Sequence, residues 1–360
     1  MVVSAVAAFA GGPFTILEQA VEAARRSPGV NFAFLVHDAA RWHEDGNLRF
    51  VPLPWARRSY TRRVYAEYVL FPSLSRRWHP DAWLSLHDTT PPVRVESQAV
   101  YCHNPLPYWH PTLRDLRFDR LEFARSFLYG VVMRAFASRN DHVVGQLPWY
   151  TEFIGRYMRV PRDRLLVVAP RAAGTVRSTD PAGHSVLEEG PHDRFECVYI
   201  ALPRVFKNFE EAIDLCDQPG LRLTLTISGE ENLYARHVRG YARTRGVVRF
   251  AGPLSHGDSL ATIATADAVL FPSRLETYGL PVQEAMDRGR TVVLPVRPWT
   301  VAVASGYERA HFYRSVPEGR AILAALAAEE RPTASEPPAP PATDLPRLPG
   351  FEELYGVLVG

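Results

Sequence analysis

The sequence predicts an α/β protein made of two doubly wound domains, each a parallel sheet flanked by helices. Short apolar runs alternate with amphipathic stretches along most of the 360 residues. Residues 268–295 give strand, loop, helix and strand in succession, a βαβ unit that requires parallel strands. A polar stretch rich in Gly, Pro and Ser, residues 171–194, separates two such series. We therefore expect a first domain over 1–180, joined by a helix at 345–360, and a second over 190–335.

The first series opens with the apolar residues 2–10, which allow two interpretations. They resemble the apolar core of a secretory signal, with Ala8-Phe9-Ala10 as a cleavage site. No basic residue precedes them and the run is very short, so we prefer a first strand. Gly11 and Gly12 then supply the tight turn into a helix over 15–26.

Further strands and helices follow in alternation. Strands are predicted at 31–37, 81–88, 99–109 and 164–170, a helix at 119–136, and a strand, turn and helix within 142–158. Four polar residues, His87, Asp88, His103 and Asn104, stand at strand carboxyl ends. A doubly wound sheet binds its ligands at that edge, which makes them candidate site residues.

Residues 60–72 predict a helix with Tyr60, Val64, Tyr68 and Phe71 on one stripe. Six arginines surround that stripe: Arg57, Arg58, Arg62, Arg63, Arg76 and Arg77. A basic, aromatic stretch fits the surface of an anionic membrane. It also fits an ordinary amphipathic helix with solvated arginines, the interpretation that we favour.

The second series begins with a strand at 198–201 and a helix over 209–216. Arg204 and Lys207 lie in the turn between them. Lys207 is the only lysine among 41 basic residues, which indicates that this position needs a compact ammonium, as beside phosphates. Strands at 221–229 and 247–255 and a short helix at 258–266 follow, with a turn at Gly252-Pro253.

The centre of this series is the βαβ unit at 268–295. Its loop carries Glu276, and its helix, which starts with Leu280 and Pro281, carries Glu284 eight residues after Glu276. Gly289 ends the helix and residues 291–294 form the next strand. This spacing places two carboxylates along one wall of the expected crevice.

The string FPSRLETYGLPVQEAMDRG at 271–289 resembles the retaining nucleotide-sugar enzymes of glycosyltransferase family 4, over about twenty positions. The resemblance implies the GT-B fold, in which two Rossmann-like domains face each other across a cleft. It also implies that Glu276 holds hydroxyls of the donor sugar and Glu284 the ribose hydroxyls of the nucleotide. The backbone N–H groups of Tyr278, Gly279 and Leu280 would face the diphosphate, since a helix amino end favours anions.

Other segments extend the resemblance. PRVFKNFE at 203–210 is similar to the family's diphosphate clamp, which assigns Arg204 and Lys207 to the phosphates, although the family's usual spacing is longer. YCHNPLP at 101–107 is similar to a segment whose histidine, here His103, meets the donor sugar. Gly12 would lie under the donor phosphates and Gly252 near the nucleobase. The expected catalytic residues are thus His103, Arg204, Lys207 and Glu276.

The resemblance implies transfer of a sugar from a GDP- or UDP-sugar, with retention of configuration. The acceptor would be a saccharide or polyprenyl-linked saccharide in bacterial surface polysaccharide synthesis, such as that of lipopolysaccharide. Protein cations would meet the diphosphate charge, so neither a metal nor another cofactor is expected. Two alternatives remain, a nucleotide-sugar epimerase of the same fold and a non-catalytic subunit that binds nucleotide sugars.

Composition excludes several other classes. The net charge is +2 and charged residues are 22%, so nothing favours nucleic acid as a partner. Cys102, Cys197 and Cys216 lack metal-ligand spacing and suit a reducing cytoplasm. No apolar run is long enough to span a membrane. We expect a cytoplasmic protein, with the inner face of the plasma membrane as the place where a lipid-linked acceptor would be met.

Overall fold

The structure, a computed structural model, describes residues 1–8, 11–170, 183–187, 194–329 and 343–360. The chain divides into two compact units. The first comprises Met1–Trp109, Arg125–Arg171 and Ala342–Gly360, and the second His110–Ala124 and Ala172–Pro341. The segment His110–Ala124, expected in the first domain, therefore groups with the second unit. Most of the expected linker at 171–194 lies outside the described residues, as does the proline-rich stretch before residue 343.

Fourteen strands are present in the described part of the chain. They are β1 Val2–Ala5, β2 Phe32–Val36, β3 Leu48–Pro52, β4 Ala82–Ser85, β5 Ser97–Cys102, β6 His142–Gly145, β7 Leu165–Val168, β8 Phe195–Tyr199, β9 Leu221–Leu225, β10 Val248–Phe250, β11 Ala268–Leu270, β12 Thr291–Pro295, β13 Ala310–Tyr313 and β14 Arg347–Leu348.

The α-helices that accompany them are α1 Gly11–Arg25, α2 Tyr60–Tyr65, α3 Phe71–Trp78, α4 Leu113–Phe118, α5 Arg120–Arg134, α6 Pro148–Met158, α7 Phe209–Cys216, α8 Leu233–Ala242, α9 His256–Thr265, α10 Leu280–Asp287, α11 Pro298–Ala304, α12 Val316–Ala327 and α13 Phe351–Val359. A π-helical segment, Ala66–Leu70, joins α2 to α3 without a break.

Both sheets have the predicted doubly wound topology. Among the described residues, the first unit has an eight-stranded sheet in the order β14-β7-β6-β5-β4-β1-β2-β3. The second has six strands in the order β10-β9-β8-β11-β12-β13. Every neighbouring pair is parallel. The direction of winding reverses between β1 and β4 in the first sheet and between β8 and β11 in the second, where such sheets bind ligands.

The sequence prediction missed β3 and set some strands too long. A strand with a polar end was predicted at 99–109, but β5 ends at Cys102. Pro105 and Pro107 follow within five residues and cannot donate ladder hydrogen bonds. His103 and Asn104 therefore lie in the loop immediately after the strand.

The helix predicted at 60–72 extends to Trp78, and its predicted buried stripe was wrong at Tyr60, which is 56% exposed. In the π-helical segment the N–H of Phe71 bonds to the carbonyl of Ala66, five residues earlier. This wider turn shifts the inward face relative to an ordinary α-helix. The π-helical segment and α3 bury Ala66, Glu67, Phe71 and Ser75.

The last helix of the chain, α13, packs within the first unit against α1. The Tyr355 hydroxyl donates a hydrogen bond of 2.7 Å to the carbonyl of Ala20, and its ring lies 4.8 Å from that of Phe32. Arg26 and Glu352 form an ion pair at the edge of this contact. The chain thus returns to the first unit after completing the second sheet.

Candidate functional site

The strongest candidate site lies at the switch point of the second sheet, in the loops that follow β8 and β11. The backbone N–H of Arg274 donates to the carbonyl of Phe206 over 2.7 Å. The Arg274 guanidinium donates to the side-chain oxygen of Asn208 over 2.9 Å. Two loops about 66 residues apart in the sequence are therefore fastened together, and their side chains meet at the carboxyl edge of the sheet.

Lys207 and Glu276 form an ion pair between these loops. The side chains are 15% and 14% exposed, so the pair is largely screened from solvent but still accessible. The buried Tyr199 hydroxyl donates to the Lys207 carbonyl over 2.6 Å, and the ammonium lies 5.1 Å from the centre of the Phe271 ring. Burial, and then the negative charge of Glu276, raise the pKa of Tyr199 well above its usual value, so this phenol stays a neutral donor.

Arg204 lies at the start of the same turn. Lys207 donates its backbone N–H to the Arg204 carbonyl over 2.9 Å. The Arg204 side chain, 41% exposed, pairs with Asp119 at 3.0 Å within the second unit. Asp119 belongs to the segment His110–Ala124, and the sequence analysis had given it no role. Arg204 is three residues from Lys207 in the sequence, but its guanidinium pairs with Asp119 and not with Glu276.

The amino end of α10 forms the next part of this site. Gly279 precedes the helix with φ of +76°, a left-handed conformation that suits glycine. A Cβ at this position would lie 2.7 Å from the Trp299 ring, so space as well as conformation excludes a side chain. The first N–H groups of a helix have no intrahelical acceptor and point outward from its amino end. Tyr278 precedes this turn, and burial followed by the charge of Asp287 raises its pKa to about 12.

Glu284 lies within α10 and is buried, with a side-chain exposure of 8%. Its Oε1 lies 2.9 Å from Nε2 of His256, the first residue of α9. His256 was not recognised from the sequence, where a histidine at a helix start carries no distinctive signal. Gly252 lies near α9 in the chain, in a turn with φ of +81°, and donates its N–H to the Ile227 carbonyl over 3.2 Å.

The predicted residues of the first unit lie in two places. Gly12 is the second residue of α1, which begins four residues earlier than expected, at Gly11. Gly11 and Gly12 are thus helical, where a turn was predicted, and Phe9 and Ala10 lie outside the described residues. His103 follows β5 and is held by Asp88, which follows β4.

Asp88 organises the loop that carries His103. Its Oδ1 accepts the backbone N–H groups of His103 and Asn104 over 2.6 and 2.9 Å, and its Oδ2 accepts the Tyr129 hydroxyl over 3.1 Å. Asp88 itself has a φ of +65°, a conformation uncommon for a residue other than glycine. Nε2 of His103 lies 3.8 Å from Oδ2 of Asp88. The carboxylate therefore fixes both the backbone and the surroundings of this histidine.

A second buried network, centred on Glu67, holds the loop that contains Asp88. Glu67 accepts hydrogen bonds of 2.7 Å from Arg63 and from the hydroxyl of Thr89. Arg63 also donates to the carbonyl of His87 over 3.2 Å. Burial raises the pKa of Glu67, but Arg63, His87 and these hydrogen bonds outweigh it and leave the pKa lowered. Arg63, expected on a solvated face, is thus a structural partner of the loop at 87–89.

His87 is buried and neutral at ordinary pH. Burial lowers its pKa to about 4, although Glu67 opposes this shift. Its Nδ1 lies 3.9 Å from Glu67, but a neutral imidazole forms no ion pair there. Neither ring nitrogen has a hydrogen-bond partner in the described part of the structure.

Within the described residues, no group of three or more His, Cys, Asp or Glu side chains is placed to hold a metal ion. Cys102, Cys197 and Cys216 are buried free thiols. No described helix is long and apolar enough to cross a membrane.

Residues 192–303 match the family model "Glycosyl transferases group 1". This segment contains every candidate named above in the second unit except Asp119, while His103 and Gly12 lie outside it. Glycogen synthase of Mycobacterium tuberculosis is 31% identical over 111 residues, which cover 31% of this chain and 24% of that protein. The chain thus matches about a quarter of the length of this curated relative.

Solved structures resemble nearly the whole chain. Sucrose-phosphate synthase of Thermosynechococcus elongatus has a TM-score of 0.63 at 14% identity, covering 91% of this chain and 89% of its own. HepE of Anabaena, in complex with UDP and glucose, has a TM-score of 0.60 at 12% identity, covering 91% and 88%. WaaG, a glycosyltransferase involved in lipopolysaccharide biosynthesis, has a TM-score of 0.59 at 12% identity, covering 91% and 90%. These likenesses confirm the fold class as the pair of parallel-sheet, Rossmann-like domains found in GT-B structures.

Proposed function

We propose that the chain is a glycosyltransferase that moves a sugar from a nucleoside diphosphate sugar to a saccharide or polyprenyl-linked saccharide in bacterial surface polysaccharide synthesis. One observation carries the proposal. The Lys207–Glu276 pair lies at the switch point of the second sheet, inside the segment that matches the glycosyl transferases group 1 model. A cation that meets a diphosphate and a carboxylate that holds sugar hydroxyls are the two groups such a donor needs there.

Departure of the diphosphate is the step that the protein has to assist. As the bond from the anomeric carbon to the phosphate oxygen breaks, negative charge grows on the leaving group. Lys207 and Arg204 are the cations assigned to that charge, together with the N–H groups at the amino end of α10. The phosphates would displace the carboxylates of Glu276 and Asp119, which now pair with these cations.

The two glutamates have separate roles in this proposal. Glu276, once released from Lys207, accepts hydrogen bonds from hydroxyls of the donor sugar. Glu284, buried and next to His256, accepts hydrogen bonds from the ribose hydroxyls. A buried carboxylate that binds a hydroxyl contributes more than an exposed one, because water competes less.

We assign retention of configuration to front-face attack. The acceptor oxygen bonds to the anomeric carbon on the face that the diphosphate leaves, and its proton passes to the departing phosphate oxygen. Glu276 is then not a covalent nucleophile, although paired carboxylates would suit a glycosidase. His103, held by Asp88, is assigned to a hydroxyl of the substrate.

The reaction is proposed to need no metal, because protein cations meet the diphosphate. Turnover should therefore be unchanged by EDTA. Loss of turnover with chelator and its recovery with Mg²⁺ or Mn²⁺ would overturn this part. The Anabaena structure in complex with UDP supports UDP-sugars as the first donors to test, with GDP-sugars next.

The test is a panel of UDP- and GDP-sugars, assayed for release of the diphosphate and for transfer to saccharide acceptors. The proposal expects release of the diphosphate from one donor and a thermal shift with the matching diphosphate. A shift without turnover would indicate a non-catalytic binding subunit. Conversion of the donor to its epimer, with no diphosphate released, would indicate an epimerase.

We further propose that the surface formed by α2, the π-helical segment and α3 contacts an anionic membrane that presents a lipid-linked acceptor. Tyr60, Tyr65 and Val69 on this surface are each more than half exposed. The same stretch of chain also exposes four arginines, Arg58, Arg62, Arg76 and Arg77. Apolar side chains inserted among headgroups, flanked by cations, are the pattern of interfacial helices. The proposal thus has the protein act at the cytoplasmic face of the membrane.

A further inference from the structure

The first unit contains a cavity of about 330 Å³ that the donor site does not use. It lies at the carboxyl ends of β1 and β2, against the first two turns of α1. Ala8, which follows β1, and Leu17 and Val36 form its buried apolar floor. A doubly wound sheet presents ligands at this edge, so the cavity is in the expected place for a second small-molecule site.

One wall of the cavity is a fixed aromatic surface. The Trp42 ring stacks on Phe50, with centroids 5.6 Å apart and an angle of 8° between the planes. Phe14, which also lines the cavity, packs against Trp42 at 5.8 Å. Two aromatic neighbours leave the indole little freedom, so it offers a preformed flat surface. Flat apolar surfaces of this kind suit the C–H face of a sugar ring.

The lining of the cavity also contains basic side chains. Arg41 and Arg57 line it together with His37 and Asp38. The Arg41 guanidinium lies 5.2 Å from the centre of the Phe14 ring and 4.0 Å from the Asp38 carboxylate. Asp38 in turn accepts the N–H of Ala40 over 2.9 Å. Among the described residues that line the cavity there are two guanidinium groups and one carboxylate. Guanidinium groups bind carboxylates and phosphates with two hydrogen bonds.

We propose that this cavity binds one saccharide unit that carries a carboxylate or a phosphate. The volume is near the lower end of the range of roughly 300–1,000 Å³ found for small-molecule sites, which fits a single ring better than a nucleoside diphosphate sugar. Trp42 receives the ring face, Asp38 a hydroxyl, and Arg41 and Arg57 the anionic group. The identification of this unit as part of the acceptor rests on the proposed function, whereas its binding does not.

Binding to the intact protein tests the proposal by calorimetry or saturation-transfer NMR. The probes are glucuronic acid, glucose 6-phosphate, glucose, inorganic phosphate and AMP. At least one of the first two should bind at least tenfold more tightly than glucose and than phosphate alone. Comparing the affinities of glucuronic acid and glucose 6-phosphate shows whether the cavity prefers a carboxylate or a phosphate.

The matched variants are Arg41→Gln with Arg57→Gln, and Arg49→Gln as the control. Arg49 is an exposed arginine of β3 that does not line the cavity. The double variant should reduce binding of the anionic sugar at least tenfold, and Arg49→Gln should not. Affinity for UDP or GDP, measured on the same samples, reports that the second unit is folded and separates failure here from failure of the donor site.

Three results would overturn the proposal. Glucose binding as tightly as the anionic sugars would remove the role of the arginines. Equal binding by phosphate alone would remove the role of Trp42. Preference for AMP over every sugar would make the cavity a nucleotide site instead.

Discussion

Lys207 and Glu276, 69 positions apart in the sequence, form an ion pair at the centre of the second sheet's carboxyl edge. Their loops are joined by backbone and side-chain hydrogen bonds, so the pairing is a property of the fold. When one partner of a largely buried ion pair is taken away, the other charge is left without compensation, which is energetically costly. In the proposed mechanism, a diphosphate that binds Lys207 releases Glu276 for the sugar, which would couple recognition of the diphosphate to recognition of the sugar.

Glu284→Gln should weaken binding of the free nucleoside diphosphate by about 1–3 kcal/mol, the scale of a hydrogen bond to a charged group. His256→Gln should cause a smaller loss, since the proposal gives the ribose contact to Glu284, which His256 touches. Calorimetry with UDP and GDP measures both. Unchanged affinity in Glu284→Gln would reject the ribose assignment.

Asp88→Asn should reduce turnover about tenfold or more, because it disturbs the loop that positions His103. Affinity for the free diphosphate should not change. Asp163→Asn, at an exposed aspartate of the same unit, is the matched control. In a double-mutant cycle with His103→Ala the Asp88 effect should largely disappear, since both act through one group. Additive losses would show that Asp88 does not act through His103.

His87 predicts a pH dependence of stability. Its folded-state pKa is about 4, below the usual 6.5, so between these values the unfolded chain binds a proton that the folded chain does not. The free energy of unfolding should therefore fall as pH decreases from 6.5 to 4, by up to about 3 kcal/mol. Stability owed to Glu67, whose pKa is lowered from the usual 4.5, is lost as pH falls below about 4.5.

Urea unfolding at pH 7 and pH 5 measures this effect. His87→Phe should flatten the difference between the two pH values, while His43→Gln, at an exposed histidine, should leave it intact. An equal pH difference in wild type and His87→Phe would show that another group is responsible.

The membrane proposal predicts that joint replacement of Arg58, Arg62, Arg76 and Arg77 by glutamine reduces binding to anionic vesicles strongly at low salt and little at high salt. Each basic group near such a surface contributes about 1 kcal/mol and is screened by salt. Arg63 is left out because it pairs with buried Glu67. Arg243→Gln with Arg249→Gln, two exposed arginines of the second unit, is the control. A wild-type protein that ignores anionic vesicles at low salt would refute the proposal.

The two parallel sheets were predictable because apolar strand runs and glycine turns are local signals. The loops after β8 and β11 could be placed at one sheet edge for the same reason, and with them Lys207 and Glu276. Their direct pairing was not predictable, since it depends on hydrogen bonds between distant loops such as Arg274 to Phe206.

Other features were beyond local pattern. The π-helical turn at Ala66–Leu70 changes which side chains face inward, so Glu67 and Arg63 are paired inside while Tyr60 is exposed. Arg204 pairs with Asp119, 85 positions away, and Glu284 contacts His256, 28 positions away. No periodicity in the sequence marks such long-range polar contacts.

The central claim is tested most directly by Glu276→Gln, assayed in parallel for donor turnover and for affinity toward the free nucleoside diphosphate. The variant loses the sugar contact and also frees Lys207 from its carboxylate. Turnover should fall at least a hundredfold, while the diphosphate binds as tightly as to wild type or more tightly. Parallel losses of turnover and diphosphate affinity would contradict the account and make the Lys207–Glu276 pair a structural contact.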